Sequence, residues 1–199
     1  MRAFQVSKIG EPAELSQVTA PNAACGEVLV KISTCGLNFA DLLMQTGQYQ
    51  DTPPAPFTLG MEIAGTVEAI GEGVTSPAIG TRVAVFGGQG GLADYGTYDA
   101  RTAIEIPDKM SMTDAAAFQI AYGTSHVALG YRANLQAGET LLVLGAAGGV
   151  GLTAVEIGKL MGATVIAVAR GADKLEVAGK AGADHVIDAG VEDLRAELK

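Results

Sequence analysis

The sequence predicts an α/β chain in two parts, a compact and mostly antiparallel β domain followed by a parallel sheet interleaved with helices. Three observations carry that expectation. Up to about residue 110, short β-rich runs are separated by turns rich in glycine and proline. From Thr113 the texture becomes helical and then alternates strand with helix. A glycine-rich turn, Gly145-Ala146-Ala147-Gly148-Gly149-Val150-Gly151, stands where the first strand of this second part meets a helix.

In the first part, Glu27 to Ser33, Glu62 to Ile70 and Arg82 to Phe86 read as strands. Asp114-Ala115-Ala116-Ala117-Phe118 reads as a helix start behind Thr113 as N-cap, and a second apolar helical pattern runs from about Thr124 to Leu135. The domain boundary falls near residue 120, giving domains 1–120 and 121–199. Beyond it, Thr140 to Leu144 is a fully apolar strand and Val150 to Met161 a helix. Thr164 to Ala169 follows as a strand, Asp173 to Ala181 as a helix, and His185 to Asp188 as a third strand. Such alternation demands a parallel sheet, because each helix carries the chain back across it. Val191 to Lys199 reads as one more helix with no glycine or proline to close it, so the tail looks cut.

Composition bounds the function. With 199 residues, 48% hydrophobic and 18% charged, the chain can build one substantial core or two small ones. A formal net charge of -9 offers no cationic surface to neutralise nucleic-acid phosphates and no polybasic segment for anionic lipid. Cys25 and Cys35 are too few for a disulfide framework. The start Met1-Arg2-Ala3-Phe4 lacks an apolar run of signal-peptide length, and glycines and charges interrupt every hydrophobic stretch. A soluble, cytoplasmic protein is the expectation.

The glycine turn carries the clearest chemistry. Leu141-Leu142-Val143-Leu144 leads into it and an apolar helix leaves it. Small residues there let the backbone approach a pyrophosphate, whose charge meets free N–H groups and the positive end of the helix dipole. The competing reading is that the glycines only let a helix pack closely on a strand. An acidic residue at the end of the second strand would hold the ribose 2′-hydroxyl of NAD. Here Ala169-Arg170-Gly171 stands instead, with Lys174 one helical turn later, and cations fit a 2′-phosphate. That favours NADPH, against the alternative that Arg170 and Lys174 are ordinary solvated charges beside Asp173.

The turn follows a β domain containing Asn38-Phe39-Ala40-Asp41, Gly47, Tyr49, Pro56-Phe57, Gly60-Met61-Glu62, Gly65 and Gly80-Thr81-Arg82-Val83. With these motifs in this order the chain resembles, over essentially its whole length, the zinc-free quinone oxidoreductase (zeta-crystallin-like) branch of the medium-chain dehydrogenase/reductase superfamily. The resemblance implies a GroES-like β domain followed by the first half of a Rossmann parallel sheet, with substrate bound between the two domains. It implies hydride transfer from NADPH to a quinone or α,β-unsaturated carbonyl, with small enoyl thioesters in the same class, and a homodimer at full length.

Zinc alcohol dehydrogenases of the same superfamily are the competitor. Relative to them, a cysteine ligand is replaced by Asn38 and a histidine by Met61, leaving Glu62 alone. Amide and thioether are poor Zn²⁺ ligands beside thiolate and imidazole. No metal is therefore expected, and Cys35 reads as a small buried hydrophobe. Without a Lewis acid, charge developing on the substrate oxygen must be met by hydrogen-bond donors. The resemblance nominates Asn38 and Tyr49, Tyr49 also as proton donor. The bland alternatives are a turn-shaping asparagine and a loop aromatic. Many relatives carry tyrosine where Leu43 stands and arginine where Gln45 stands, so solvent competes as the proton source. Thr124 matches a threonine near the nicotinamide, with helix capping as its alternative. His126 and His185 receive no catalytic role. Beside the reductase reading stands a second one, a truncated nucleotide-binding module with weak or no turnover.

Overall fold

In the computed structural model, which describes residues 1–191 and 193–198, the chain divides into two units, Met1–Gln119 and Ile120–Lys199. The first contains strands β1 (Arg2–Val6), β2 (Glu14–Gln17) and β3 (Glu27–Gly36), helix α1 (Phe39–Gln45), then β4 (Phe57–Thr58), β5 (Glu62–Ile70), β6 (Arg82–Phe86), β7 (Tyr95–Asp99) and β8 (Ala103–Glu105). All of their pairings are antiparallel. They form a sheet of order β2-β1-β4 and a larger one of order β7-β3-β5-β6-β8.

Period-two patterning explains the larger sheet. Val28 and Val30 of β3, Ile63 and Val67 of β5, Val83 and Val85 of β6 and Tyr98 of β7 point to one face and make its core. Burying each such side chain contributes about 1.5–3 kcal/mol relative to leaving it exposed. On the other face Ala64, Ala84 and Ile106 pack with Ala115 and Ala116. Strand β3 runs three residues past the expected Ser33 because it keeps pairing with β5, through two register shifts, until Gly36 stands opposite Glu62.

Helix α2 (Met112–His126) leads into the second unit. Its N-cap is Ser111, two positions earlier than the Thr113 expected: Ser111 Oγ accepts from the Asp114 N–H at 3.0 Å and donates to the Asp114 carboxylate at 2.7 Å. The second helical pattern is no separate helix. The chain continues from α2 into a π-helical stretch, Val127–Arg132, with the Ala133 N–H bonded to the Ala128 carbonyl.

Strand β9 (Thr140–Leu144), α3 (Gly149–Leu160), β10 (Thr164–Ala169), α4 (Ala172–Lys180) and β11 (His185–Asp188) then alternate. The three strands are parallel, in order β11-β10-β9. Val143, Val155, Val165, Ala167 and Ala178 form the core beneath them. The last helix, α5, is shorter than expected and covers only Leu194–Glu197, with Asp193 accepting from the Arg195 N–H. Glu192 and Lys199 of the expected run lie outside the described residues.

Candidate functional site

Strand β9 ends at Leu144, and Gly145 turns the chain with a φ of 69°, in the left-handed region open to glycine. The Ala146 N–H donates to the Val168 carbonyl at 3.0 Å and the Gly148 N–H to the Gly145 carbonyl at 3.0 Å, which fixes the loop against β10. Gly148 is then the N-cap of α3, with Gly149 and Val150 in its first turn. Gly151 is required sterically, since a Cβ on it would stand 2.3 Å from the Gly145 oxygen and 2.8 Å from Ala146 Cα. Gly149 faces open space. The first turn of a helix has N–H groups without intrahelical partners, the kind of groups that can meet an anion.

In front of the turn lies a cavity of about 430 Å³, lined among others by Gly145, Ala147, Gly148, Arg170 and Lys174. Arg170 follows β10 and Lys174 lies in the first turn of α4. Both are exposed, and among the described residues neither forms an ion pair. Asp173, the competing charge in the sequence, is not among the described residues that line the cavity. Asp188 at the end of β11 instead accepts from the Gly171 N–H at 3.2 Å, tethering the β10–α4 turn. Of the expected cofactor residues, Gly145, Ala147, Gly148, Arg170 and Lys174 meet at this cavity. Ala146 is buried beneath it and Gly149 and Val150 stand behind it at the helix start.

Thr124 is exposed near the end of α2, inside the helix and not at a cap. The next residue, Ser125, is 1% exposed, and its Oγ lies 2.9 Å from the Val150 carbonyl and 2.8 Å from Thr153 Oγ1. Thr153 Oγ1 in turn lies 2.9 Å from the Ala121 carbonyl. Tyr122 donates to Glu156 at 2.5 Å, and this hydrogen bond is the main cause of its raised phenol pKa. These four side chains tie α2 to α3 at the glycine turn. The sequence gives no sign of them, because polar residues within apolar helices carry no periodic signal.

In the first unit, Asn38 is the N-cap of α1 and forms a capping box with Asp41. Asp41 is buried. Its Oδ2 accepts from the Asn38 backbone N–H and its Oδ1 from the Gly60 N–H, each at 2.9 Å. Asn38 Nδ2 donates to Oε1 of buried Glu62 at 2.9 Å. The roles of Asp41 and Glu62 in holding Asn38 were not read from the sequence, although the Asn-x-x-Asp spacing signals a capping box. Half-buried Tyr49 sits in the loop after α1, its carbonyl accepting from the Thr52 N–H and hydroxyl. Among the described residues its phenol makes no hydrogen bond to Asn38, so the two expected donors are not bonded to each other. Gln45 is engaged structurally, its Oε1 accepting from the Ala13 N–H at 3.3 Å.

Cys35 is half-buried on the core of the larger sheet. Burial, reinforced by the negative charges of Asp41 and Glu62, pushes its thiol up to about 12. Met61 is buried. Among the described residues, no three His, Cys, Asp or Glu side chains are grouped so as to hold a metal ion. An amide, a thioether and one carboxylate already engaged by that amide do not fit a catalytic zinc site. Also among the described residues, no helix is long and apolar enough to cross a membrane.

Comparison with known proteins adds to this geometry. Residues 24–108 match the alcohol dehydrogenase GroES-like domain family and residues 149–199 the zinc-binding dehydrogenase family. The quinone oxidoreductase-like protein 2 homolog of Nematostella vectensis is 38% identical over 201 residues, covering 100% of this chain and 55% of its own length. The quinone oxidoreductase of Thermus thermophilus, solved also in complex with NADPH, superposes with a TM-score of 0.87 at 35% identity, over 100% of this chain and 63% of that one. The CurK enoyl reductase gives a TM-score of 0.89 at 28% identity, over 99% and 62%. The chain thus spans little more than half the length of the curated relative.

Proposed function

Because the chain belongs to the quinone oxidoreductase branch of the medium-chain dehydrogenase/reductase superfamily, we propose that it encodes the β domain and the pyrophosphate-binding half of an NADPH-dependent, zinc-independent reductase. Its acceptors are quinones or α,β-unsaturated carbonyls, including enoyl thioesters. The observation that carries this reading is the cavity at the glycine turn. It joins a helix N-terminus to Arg170 and Lys174, with no carboxylate among its described lining residues.

NADPH, when bound, supplies the hydride. The turn residues Gly145 to Val150 offer backbone N–H groups and the α3 dipole to the pyrophosphate. Arg170 and Lys174 meet the 2′-phosphate, Arg170 through its planar fork and Lys174 as a point charge. The Thr124 hydroxyl orients the nicotinamide. Asn38 and Tyr49 offer N–H and O–H donors to the negative charge that develops on the acceptor oxygen. The donor set around Asn38, Met61 and Glu62 supports a reaction without zinc. Relatives named as quinone oxidoreductase and enoyl reductase support the acceptor class.

A second reading is a nucleotide-binding module without turnover, because the glycine turn and its cavity account for cofactor binding by themselves. One assay separates the readings. The chain is mixed with NADPH and a benzoquinone or an enone, with and without a chelator, and cofactor oxidation is followed. Turnover insensitive to chelator supports the reductase. Binding of NADPH with no oxidation supports the module.

A further inference from the structure

Two buried carboxylates converge on one asparagine. Asp41 holds the Asn38 backbone and, through its other oxygen, the Gly60 N–H, while Glu62 two residues further holds the Asn38 side-chain nitrogen. Asn38 is therefore clamped to both ends of the short segment that leads into β5. Helix capping explains only half of this. The capping box needs Asp41 and the Asn38 oxygen, and it makes no demand on Nδ2.

Glu62 is 3% exposed and is the first residue of β5, opposite Gly36 of β3. Gly36 makes room for it, since a Cβ at that position would stand 2.6 Å from Glu62 Oε1 and 2.6 Å from the Ala116 carbonyl. Glu62 Oε1 accepts from Nδ2, so the amide turns its nitrogen toward Glu62. The capping box turns the amide oxygen toward the first turn of α1. Both constraints select one of the two amide orientations, and among the described residues the second N–H of Nδ2 forms no hydrogen bond.

From this we infer that Glu62 is a positioning residue, which fixes the Asn38 amide so that its remaining N–H, and not its carbonyl oxygen, is presented to an acceptor. The inference rests on the reductase reading for the identity of the acceptor. The orientation of the amide stands apart from that reading. A pre-oriented donor is worth more than a rotating one, because no reorganisation is needed when charge develops. Glu62 touches no reacting atom and acts through Asn38.

The test is side-chain amide NMR of the whole chain, with Glu62→Gln and Glu62→Met variants and a benzoquinone titration. The wild type is expected to show the two Asn38 Hδ2 resonances well separated, the Glu62-bound proton downfield. Glu62→Gln, which can still offer a neutral acceptor oxygen, is expected to keep part of that separation. Glu62→Met is expected to lose it while the backbone resonances of α1 stay in place. An Asn38 amide left free to rotate predicts roughly tenfold weaker quinone binding in Glu62→Met, with the Gln variant in between. An unseparated pair in the wild type, or a separation that persists in Glu62→Met, overturns the inference. A wild type with the separated pair that neither binds nor reduces the quinone overturns the reductase reading and leaves the amide orientation standing.

Discussion

Gly151 lies directly under the Gly145 carbonyl, so close that any side chain on it would begin 2.3 Å from that oxygen. The contact joins the first turn of α3 to the turn that precedes it. Gly151→Val is therefore expected to destabilise the second unit by about 1–3 kcal/mol through overpacking. Gly149→Ala, which enters open space at an ordinary φ, is expected to be neutral or stabilising by up to about 1 kcal/mol. Denaturant melts of the two variants check the contrast.

Arg170 and Lys174 reach the same cavity with no ion pair among the described residues to neutralise them. Arg170→Ala is expected to weaken NADPH binding by about 1.5–3 kcal/mol, roughly ten- to a hundredfold, and to leave NADH binding nearly unchanged. Isothermal titration with each cofactor reads the difference. Equal losses for the two would assign Arg170 to the pyrophosphate.

Lys159 donates to the Asp184 carboxylate at 2.7 Å, and the Val165 N–H adds a second bond at 2.7 Å. The Lys159 hydrogen bond, then the Val165 bond, hold the Asp184 pKa below its ordinary 3.8. The stability this group contributes is therefore present above 3.8 and is lost as pH falls through the lower folded value. Urea midpoints should show Asp184→Asn less stable than wild type near neutrality, with the gap closing in acid. A gap that does not change with pH would contradict the linkage.

Much of the fold was legible in the sequence because its signals are local. Expected and observed bounds coincide for β5, β6, β9, β10 and β11, whose apolar runs end at glycines, prolines or charges. The strand, tight turn and helix around the glycine motif were legible too, since their signal is local. What escaped was relational. Asn38 meets Glu62 only because two register shifts in β3 bring Gly36 opposite it, and nothing in either local sequence encodes that register. Ser125 and Thr153 meet across two helices for the same kind of reason. The α2 cap falls on Ser111 and not on Thr113 because, although both precede helix formers, only Ser111 lies three residues before the Asp114 amide it accepts from.

Cys35 and Cys25 differ in burial. Cys25 is exposed, while the Cys35 thiol is pushed up to about 12 by burial and by Asp41 and Glu62. Since the thiolate is the reactive form, an alkylating agent at mildly alkaline pH is expected to label Cys25 quickly and Cys35 only after denaturant is added. Peptide mapping by mass spectrometry checks the order, and comparable rates in the folded protein would contradict the burial.

The central claim is that the cavity at the glycine turn is built for the phosphorylated dinucleotide. Parallel fluorescence titrations of the chain with NADPH and NADH test it most directly. Two cations facing a 2′-phosphate predict NADPH binding at least roughly tenfold tighter than NADH, with the margin narrowing as salt is raised. Equal affinities, or a preference for NADH, would contradict it.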